Sequence, residues 1–170
     1  MKKTFIIIAS LLFSVVLVKA QPTRSVNLEL FGACGGIGVS FDSRLKINPN
    51  FGYKVGLGYG FEYHNNNSHR IFGNTISLPV NAYYLFGKKN HYLELGAGVS
   101  TVYSNYNYSY LEDRVTDFSY FCFAQVAYRY ESTKSPFVLS VGVDLPIKTP
   151  GSYFVEAIDF LPKVSLGYRF

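Results

Sequence analysis

This chain of 170 residues has no tryptophan, only two cysteines and only 11 acidic residues. A second long apolar run is missing. After Ala20 no stretch approaches 18 consecutive apolar residues, which excludes a membrane-crossing helix in the remainder. A sustained 3.6-residue hydrophobic period is missing too, which excludes a helical domain. Chemical signatures are equally scarce. No Walker loop, dinucleotide fingerprint, Ca²⁺ loop or serine nucleophile elbow occurs. The glycines of "GLGYG" (Gly56, Gly58, Gly60) alternate along a strand and form no phosphate cradle. Cys34 and Cys122 lie far apart, without metal-type spacing. The expectation is a protein with no metal, no cofactor and no catalytic residues.

What is present begins with a leader. Lys2 and Lys3 precede an apolar run from Phe5 to Val18, broken only by Ser10 and Ser14, and Val18-Lys19-Ala20 suits signal peptidase. Residues 1–20 therefore read as a cleaved signal peptide, and 21–170 as one domain. Removing Lys2, Lys3 and Lys19 leaves 13 of the 16 basic residues against 11 acidic, a net of +2. Most of the apparent basicity belongs to the leader, so the composition gives no case for nucleic-acid binding.

Period-2 alternation dominates the mature chain and predicts eight strands: 26–34, 37–45, 51–63, 75–86, 91–104, 117–131, 136–147 and 160–170. Gly35-Gly36 fits a two-residue hairpin with positive φ at both positions; the alternative is one bent strand over 26–45. The connections Lys46–Asn50, Gly87–Asn90 and Ser132–Ser135 are short, whereas those at 64–74, 105–116 and 148–159 are long. Such asymmetry marks an outer-membrane barrel, with tight turns at the periplasmic side and loops outside.

Alternation also assigns faces. In the third strand Phe51, Tyr53, Val55, Leu57, Tyr59 and Phe61 oppose Gly52, Lys54, Gly56, Gly58, Gly60 and Glu62. Val164, Leu166, Tyr168 and Phe170 oppose Lys163, Ser165, Gly167 and Arg169 in the last. At one end the aromatics Phe51, Tyr53, Tyr84, Phe86, Tyr92, Tyr128, Tyr130, Phe137, Tyr168 and Phe170 form an interfacial girdle. A soluble ligand-binding barrel, the competing fold, has no reason to ring one rim with tyrosine. The inward charges are Glu29, Asp42, Arg44, Lys54, Glu62, Glu94, Arg129, Asp144, Lys163 and Arg169. Eight strands enclose only enough space for side chains, so these ten should pair into a salt-bridged, plugged core. The glycines should make room for long Arg and Lys chains. Cys34 and Cys122 fall on the apolar parity as free, lipid-facing thiols. Pro79, Pro146 and Pro162 should mark bulges or strand ends.

With "YKVGLGYG", "YLFGKKNHYLELGAGVS" and "VSLGYRF" in place, the chain resembles the small eight-stranded outer-membrane β-barrel family of Gram-negative bacteria, in its porin-like branch. The resemblance implies a monomeric up-and-down barrel. Its terminal residues Val164, Leu166, Tyr168 and Phe170 match the signal read by the barrel-assembly machinery, so that machinery, periplasmic chaperones and outer-membrane lipids are implied partners. It implies no reaction. Some members are lipid A acyl-modifying enzymes, and Glu62, His64, Ser68 and His69 in "FEYHNNNSHR" are the residues to weigh for that chemistry. A solvated turn explains them more simply. The Tyr- and Asn-rich Tyr103–Arg114 segment suits a surface partner, or else extends its two strands past the membrane. A structural or surface-interaction role is the expected function; a narrow pore is the remaining alternative.

Overall fold

The computed structural model describes residues 24–45, 48–66, 69–108, 114–147 and 159–170, with side chains described except at 62–72 and 106–115. The leader lies outside them. The strands are β1 (Arg24–Phe31), β2 (Gly36–Arg44), β3 (Phe51–Asn66), β4 (His69–Lys88), β5 (His91–Tyr108), β6 (Arg114–Glu131), β7 (Phe137–Ile147) and β8 (Leu161–Arg169). All pairs are antiparallel, each strand bonds to its sequence neighbours, and β8 bonds to β1 from Ser25↔Arg169 to Phe31↔Lys163. This is a closed eight-stranded up-and-down barrel, with both described ends of the chain at the same rim.

The stretch from Val26 to Leu45 is two strands, but the hairpin differs from the expected one. β1 stops at Phe31, and Gly32–Cys34 form one 3₁₀ turn closed by the Gly35 N–H on the Gly32 carbonyl at 3.0 Å. Phe31 (φ 62°), Gly32 (60°) and Gly35 (74°) are left-handed, while Gly36 already belongs to β2. Three positive φ values so close together swing the chain beneath the rim. The turn therefore folds into the barrel.

The long connections expected at 64–74 and 105–116 are mostly strand. Pairing continues to Asn66↔His69 between β3 and β4, and to Asn107↔Arg114 between β5 and β6. The sequence of these outer segments is rich in Asn, Tyr, Ser and charged residues and carries no continuous apolar stripe, although the ladder continues. The wall is consequently taller over β3–β6 than over β1, β2, β7 and β8. Pro79 lies inside β4. The β3–β4 ladder skips there, passing from Val55↔Val80 to Gly58↔Ser77, because proline offers no N–H. Pro146 and Pro162 sit one residue from the ends of β7 and β8.

The outward face is continuous and apolar, from Leu28, Val39, Leu57 and Val80 to Leu95, Val126, Val141 and Leu166. Phe51, Tyr53, Phe86, Tyr128, Phe137 and Tyr168 ring the turn end, all exposed. Tyr92 is not among them: it shares the inward parity of Glu94, its hydroxyl donates to the Lys89 carbonyl at 2.7 Å, and Arg44 stacks over its ring at 5.8 Å. A second ring escaped the sequence analysis. Tyr59, Phe61, Tyr103, Phe118 and Tyr120 are exposed toward the other end. Phe61, Tyr103 and Phe118 stand ten residues from Phe51, Leu93 and Tyr128 on their strands. At about 3.3 Å per residue and a tilt of about 40°, that separation spans roughly 25 Å, the height of an outer-membrane apolar band.

Val141 lies near the middle of this band and Ser140 points inward. Val141→Arg should destabilise the barrel by about 2–4 kcal/mol in urea titrations in liposomes, and Ser140→Ala by less than about 1 kcal/mol. Equal tolerance at the two positions would contradict the faces.

Candidate functional site

The barrel interior holds the densest set of ionisable groups. Near the turn end Arg129 sits among three carboxylates. Its Nη1 donates to Asp42 Oδ2 at 2.6 Å and to Glu94 Oε2 at 3.1 Å, and its Nε donates to Glu131 Oε1 at 2.7 Å. Lys54 donates to Glu94, Gln125 Nε2 reaches the same Glu94 oxygen at 2.5 Å, and the Tyr83 hydroxyl donates to Asp42. The Tyr83 ring lies beneath both Arg129 (5.5 Å) and Lys54 (4.9 Å), adding cation–π contacts. Arg44 pairs with Glu131. Arg169 lies 3.5 Å from Glu131 and holds the β6–β7 turn through the carbonyls of Ser132 and Ser135.

A second layer lies above. Lys163 Nζ is 3.4 Å from Glu29 and 3.9 Å from Asp144. Ser40 donates to Glu29 at 2.5 Å, and the Cys34 thiol lies 3.5 Å from the other Glu29 oxygen. The inserted 3₁₀ turn completes this layer: the Ala33 N–H donates to Asp144 at 2.8 Å, and Ser77 and Ser100 donate to the carbonyls of Cys34 and Ala33 at 2.7 and 3.0 Å. Above it Ala33, Val102, Phe121, Phe123 and Leu161 form an apolar cluster inside the barrel. A cavity of about 10 Å³ between Glu29, Lys54, Asn81, Phe123 and Lys163 has room for about one water.

Of the ten charges assigned inward from sequence, nine take part in these ion pairs; the Glu62 side chain lies outside the described residues. Glu131 was missed, although its position two residues after Arg129 put it on the inward parity. Tyr83 and Gln125 were missed as well. The glycines make room for other groups than expected. A Cβ at Gly58 or Gly60 would collide with the backbone of the inserted turn, at Gly52 with the Tyr83 ring, and at Gly98 with Asn81 and Phe123. Cys34 is also corrected. It is 1% exposed inside the barrel, because the turn carries it inward, whereas Cys122 is half-buried on the outward parity. Both thiols are free.

The remaining candidates are spread out. Val164, Leu166 and Tyr168 face outward on β8, with Tyr168 edge-on to Phe137 at 6.0 Å, and the Phe170 N–H bonds to the Arg24 carbonyl at 3.1 Å. Glu62, His64 and His69 lie on the paired outer ends of β3 and β4, their side chains outside the described residues, as is all of Ser68. Tyr103 faces outward, and the Tyr103–Arg114 segment is strand to Tyr108 and again from Arg114.

A closed ring of eight strands, greasy outside and ion-paired within, is the arrangement of a transmembrane barrel. Its fold is that of the small outer-membrane β-barrels. The N-terminal β-barrel domain of Pseudomonas aeruginosa OprF superposes with a TM-score of 0.59 at 15% identity, covering 89% of this chain and 100% of that one. Neisserial surface protein A gives 0.57 at 13%, covering 90% and 100%. Ail, the attachment invasion locus protein of Yersinia pestis, gives 0.51 at 13%, covering 87% and 99%. No protein-family model and no curated protein matches the sequence. At these identities the likeness concerns the fold.

Among the described residues, removing Arg129 leaves Asp42 buried without a cation and takes one of their two or more cationic partners from Glu94 and Glu131. Arg129→Leu should lower unfolding stability by about 3–5 kcal/mol in liposome titrations. A change below about 1 kcal/mol would show that the network carries no such weight. The folded barrel should also shield Cys34 from maleimide until it unfolds, while a membrane-soluble maleimide modifies Cys122.

Proposed function

We propose that this protein is an integral outer-membrane β-barrel with a structural or surface-interaction role, exported through the 1–20 leader and closed to flow by its own side chains. One observation carries the reading: the outer face is apolar over the height of a bilayer, while among the described residues the cavity between Glu29, Lys54, Asn81, Phe123 and Lys163 measures about 10 Å³. Among the described residues the charged groups of the lumen bond one another, which favours a closed barrel. A narrow pore and an acyl-modifying enzyme are both less well supported than a closed barrel. The β8 residues Val164, Leu166, Tyr168 and Phe170 then serve as the signal for the barrel-assembly machinery, with periplasmic chaperones escorting the chain.

The surface role rests on the tall hairpins. β3–β4 and β5–β6 continue past the upper aromatic ring as paired strands. The sequence there is rich in Tyr and Asn, residues that make adaptable contacts at little entropic cost. Two of the similar structures are named for the cell surface and for attachment and invasion.

In planar bilayers the purified mature protein should give no conductance steps; a reproducible single-channel conductance would overturn the closed interior. Replacing 105–116 with an Asn-Gly turn should leave the heat-modifiable folded band on gels intact and reduce attachment of expressing cells to host cells. Unchanged attachment would restrict those strands to a structural role.

A further inference from the structure

We propose that the turn end of the barrel is a binding surface for anionic phospholipid headgroups, an inference that rests on the reading of the chain as a membrane barrel. Its basis is the way charge is sorted along the barrel. Inside, five carboxylates (Glu29, Asp42, Glu94, Glu131 and Asp144) meet five cations (Arg44, Lys54, Arg129, Lys163 and Arg169). Among the described residues these ion-paired groups balance in charge, five against five.

The ends differ in sign. Arg24, Lys88, Lys89 and Lys134 lie at the turn end, the three lysines exposed and Arg24 half-buried. None of the four has an ion-pair partner among the described residues. Lys46 belongs to the β2–β3 connection of this same end and lies outside the described residues. The sole carboxylate side chain at this rim among the described residues is Glu131, which is buried and held by Arg44 and Arg129. The remaining carboxylates, Glu62, Glu112, Asp113, Asp117, Glu156 and Asp159, all belong by sequence to the strand ends and connections of the opposite end.

Position makes these cations a lipid site and not merely a basic surface. Lys88 and Lys89 follow Phe86 by two and three residues, and Lys134 precedes Phe137 by three, so each lies just beyond an aromatic of the girdle. Tyr and Phe set the level of the bilayer interface, which puts these ammonium groups within a Debye length of about 8 Å of the lipid phosphates. Beside them the His91 ring bonds the Tyr128 hydroxyl at 2.5 Å on the outer surface, adding a donor-capable group at the same level. Between Phe137, Tyr168, Leu166, Leu28 and Val26 an apolar groove of about 300 Å³ runs up the wall from this rim. It offers an acyl chain a seat below a headgroup held at Arg24.

Native mass spectrometry of the mature barrel, released from detergent with phosphatidylglycerol or phosphatidylcholine, tests this. The barrel should retain phosphatidylglycerol preferentially. A basic residue near an anionic surface strengthens association about fivefold, so Lys88→Gln/Lys89→Asn/Lys134→Gln should reduce the preference by at least about tenfold. Asn suits position 89, where φ is 61°. Gel heat-modifiability checks that the variant is folded. For the unaltered protein in vesicles of the same two lipids, raising salt from about 0.05 to 0.5 M should also erase most of the preference. Equal retention of both lipids, or an undiminished preference in the folded triple variant, would overturn the assignment. So would displacement of phosphatidylglycerol by a soluble acidic peptidoglycan fragment, which would make the rim a cell-wall contact. Failure to insert into vesicles of either composition would instead overturn the membrane-barrel reading, and this inference with it.

Discussion

Closure of β8 onto β1 is the constraint on which everything else in the molecule depends. A sheet edge in hydrocarbon has no water to satisfy its N–H and C=O groups, so a spanning sheet must return to its first strand. Here the ladder from Ser25↔Arg169 to Phe31↔Lys163 completes the ring. Closure at eight strands then fixes the inner radius to the reach of side chains. Every residue is forced either toward lipid or into a narrow shared space, and parity decides which. The apolar parity faces out on all eight strands. The charges have nowhere to go but in, and ions confined there must be compensated locally. Arg129, bonded to Asp42, Glu94 and Glu131, is where that compensation is most concentrated.

Filling the ring is a problem of volume as well as charge. Where a large group projects inward, the facing wall is glycine: Gly52 and Gly96 lie against Tyr83, Gly98 against Phe123, and Gly58 and Gly60 against the inserted turn. The turn does what a bulky side chain does elsewhere. It brings its own backbone polar groups inside, and these are satisfied by Ser77, Ser100 and Asp144 from three other strands. The apolar cluster around Phe121 and Phe123 caps it from above. A polar lower storey and an apolar upper one thus share a single lumen.

Much of this was legible in the chain. Strict alternation in β3, β7 and β8 gave strand type, face and the membrane character of the outer surface, because a period of two admits no other assignment once one face is uniformly apolar. The charge parity of Lys54, Glu94 and Lys163 followed from the same rule, whereas the alternation of β6, which carries Arg129, was ambiguous. What failed to show had a physical reason in each case. The outer ends of β3–β6 are rich in Asn, Tyr, Ser and charged residues and carry no continuous apolar stripe, so the sequence reads these ladders as loops. β6 breaks the polar-inside rule with Phe121 and Phe123 pointing inward, a choice dictated by the space left by Gly98 and the inserted turn. That turn depends on a left-handed Phe31, a conformation that sequence does not advertise, and it carried Cys34 from the lipid side to the interior.

The distribution of chemistry also bears on where function resides. The interior ions bond one another, the serines around the inserted turn are donors to its carbonyls, and the Cys34 thiol sits against Glu29. Groups so engaged hold the barrel together; recruiting one for transport or catalysis would mean breaking a partnership that closure made necessary. The lipid-facing wall is chemically uniform and distinguishes one acyl chain from another only by shape. The ends remain. There the strands leave the bilayer, the side chains are freed from the rule that charges point inward, and the chain differs most between its two sides: short basic turns at one, tall polar hairpins at the other. Selectivity toward lipid or partner in a barrel of this size has to be written at those two rims.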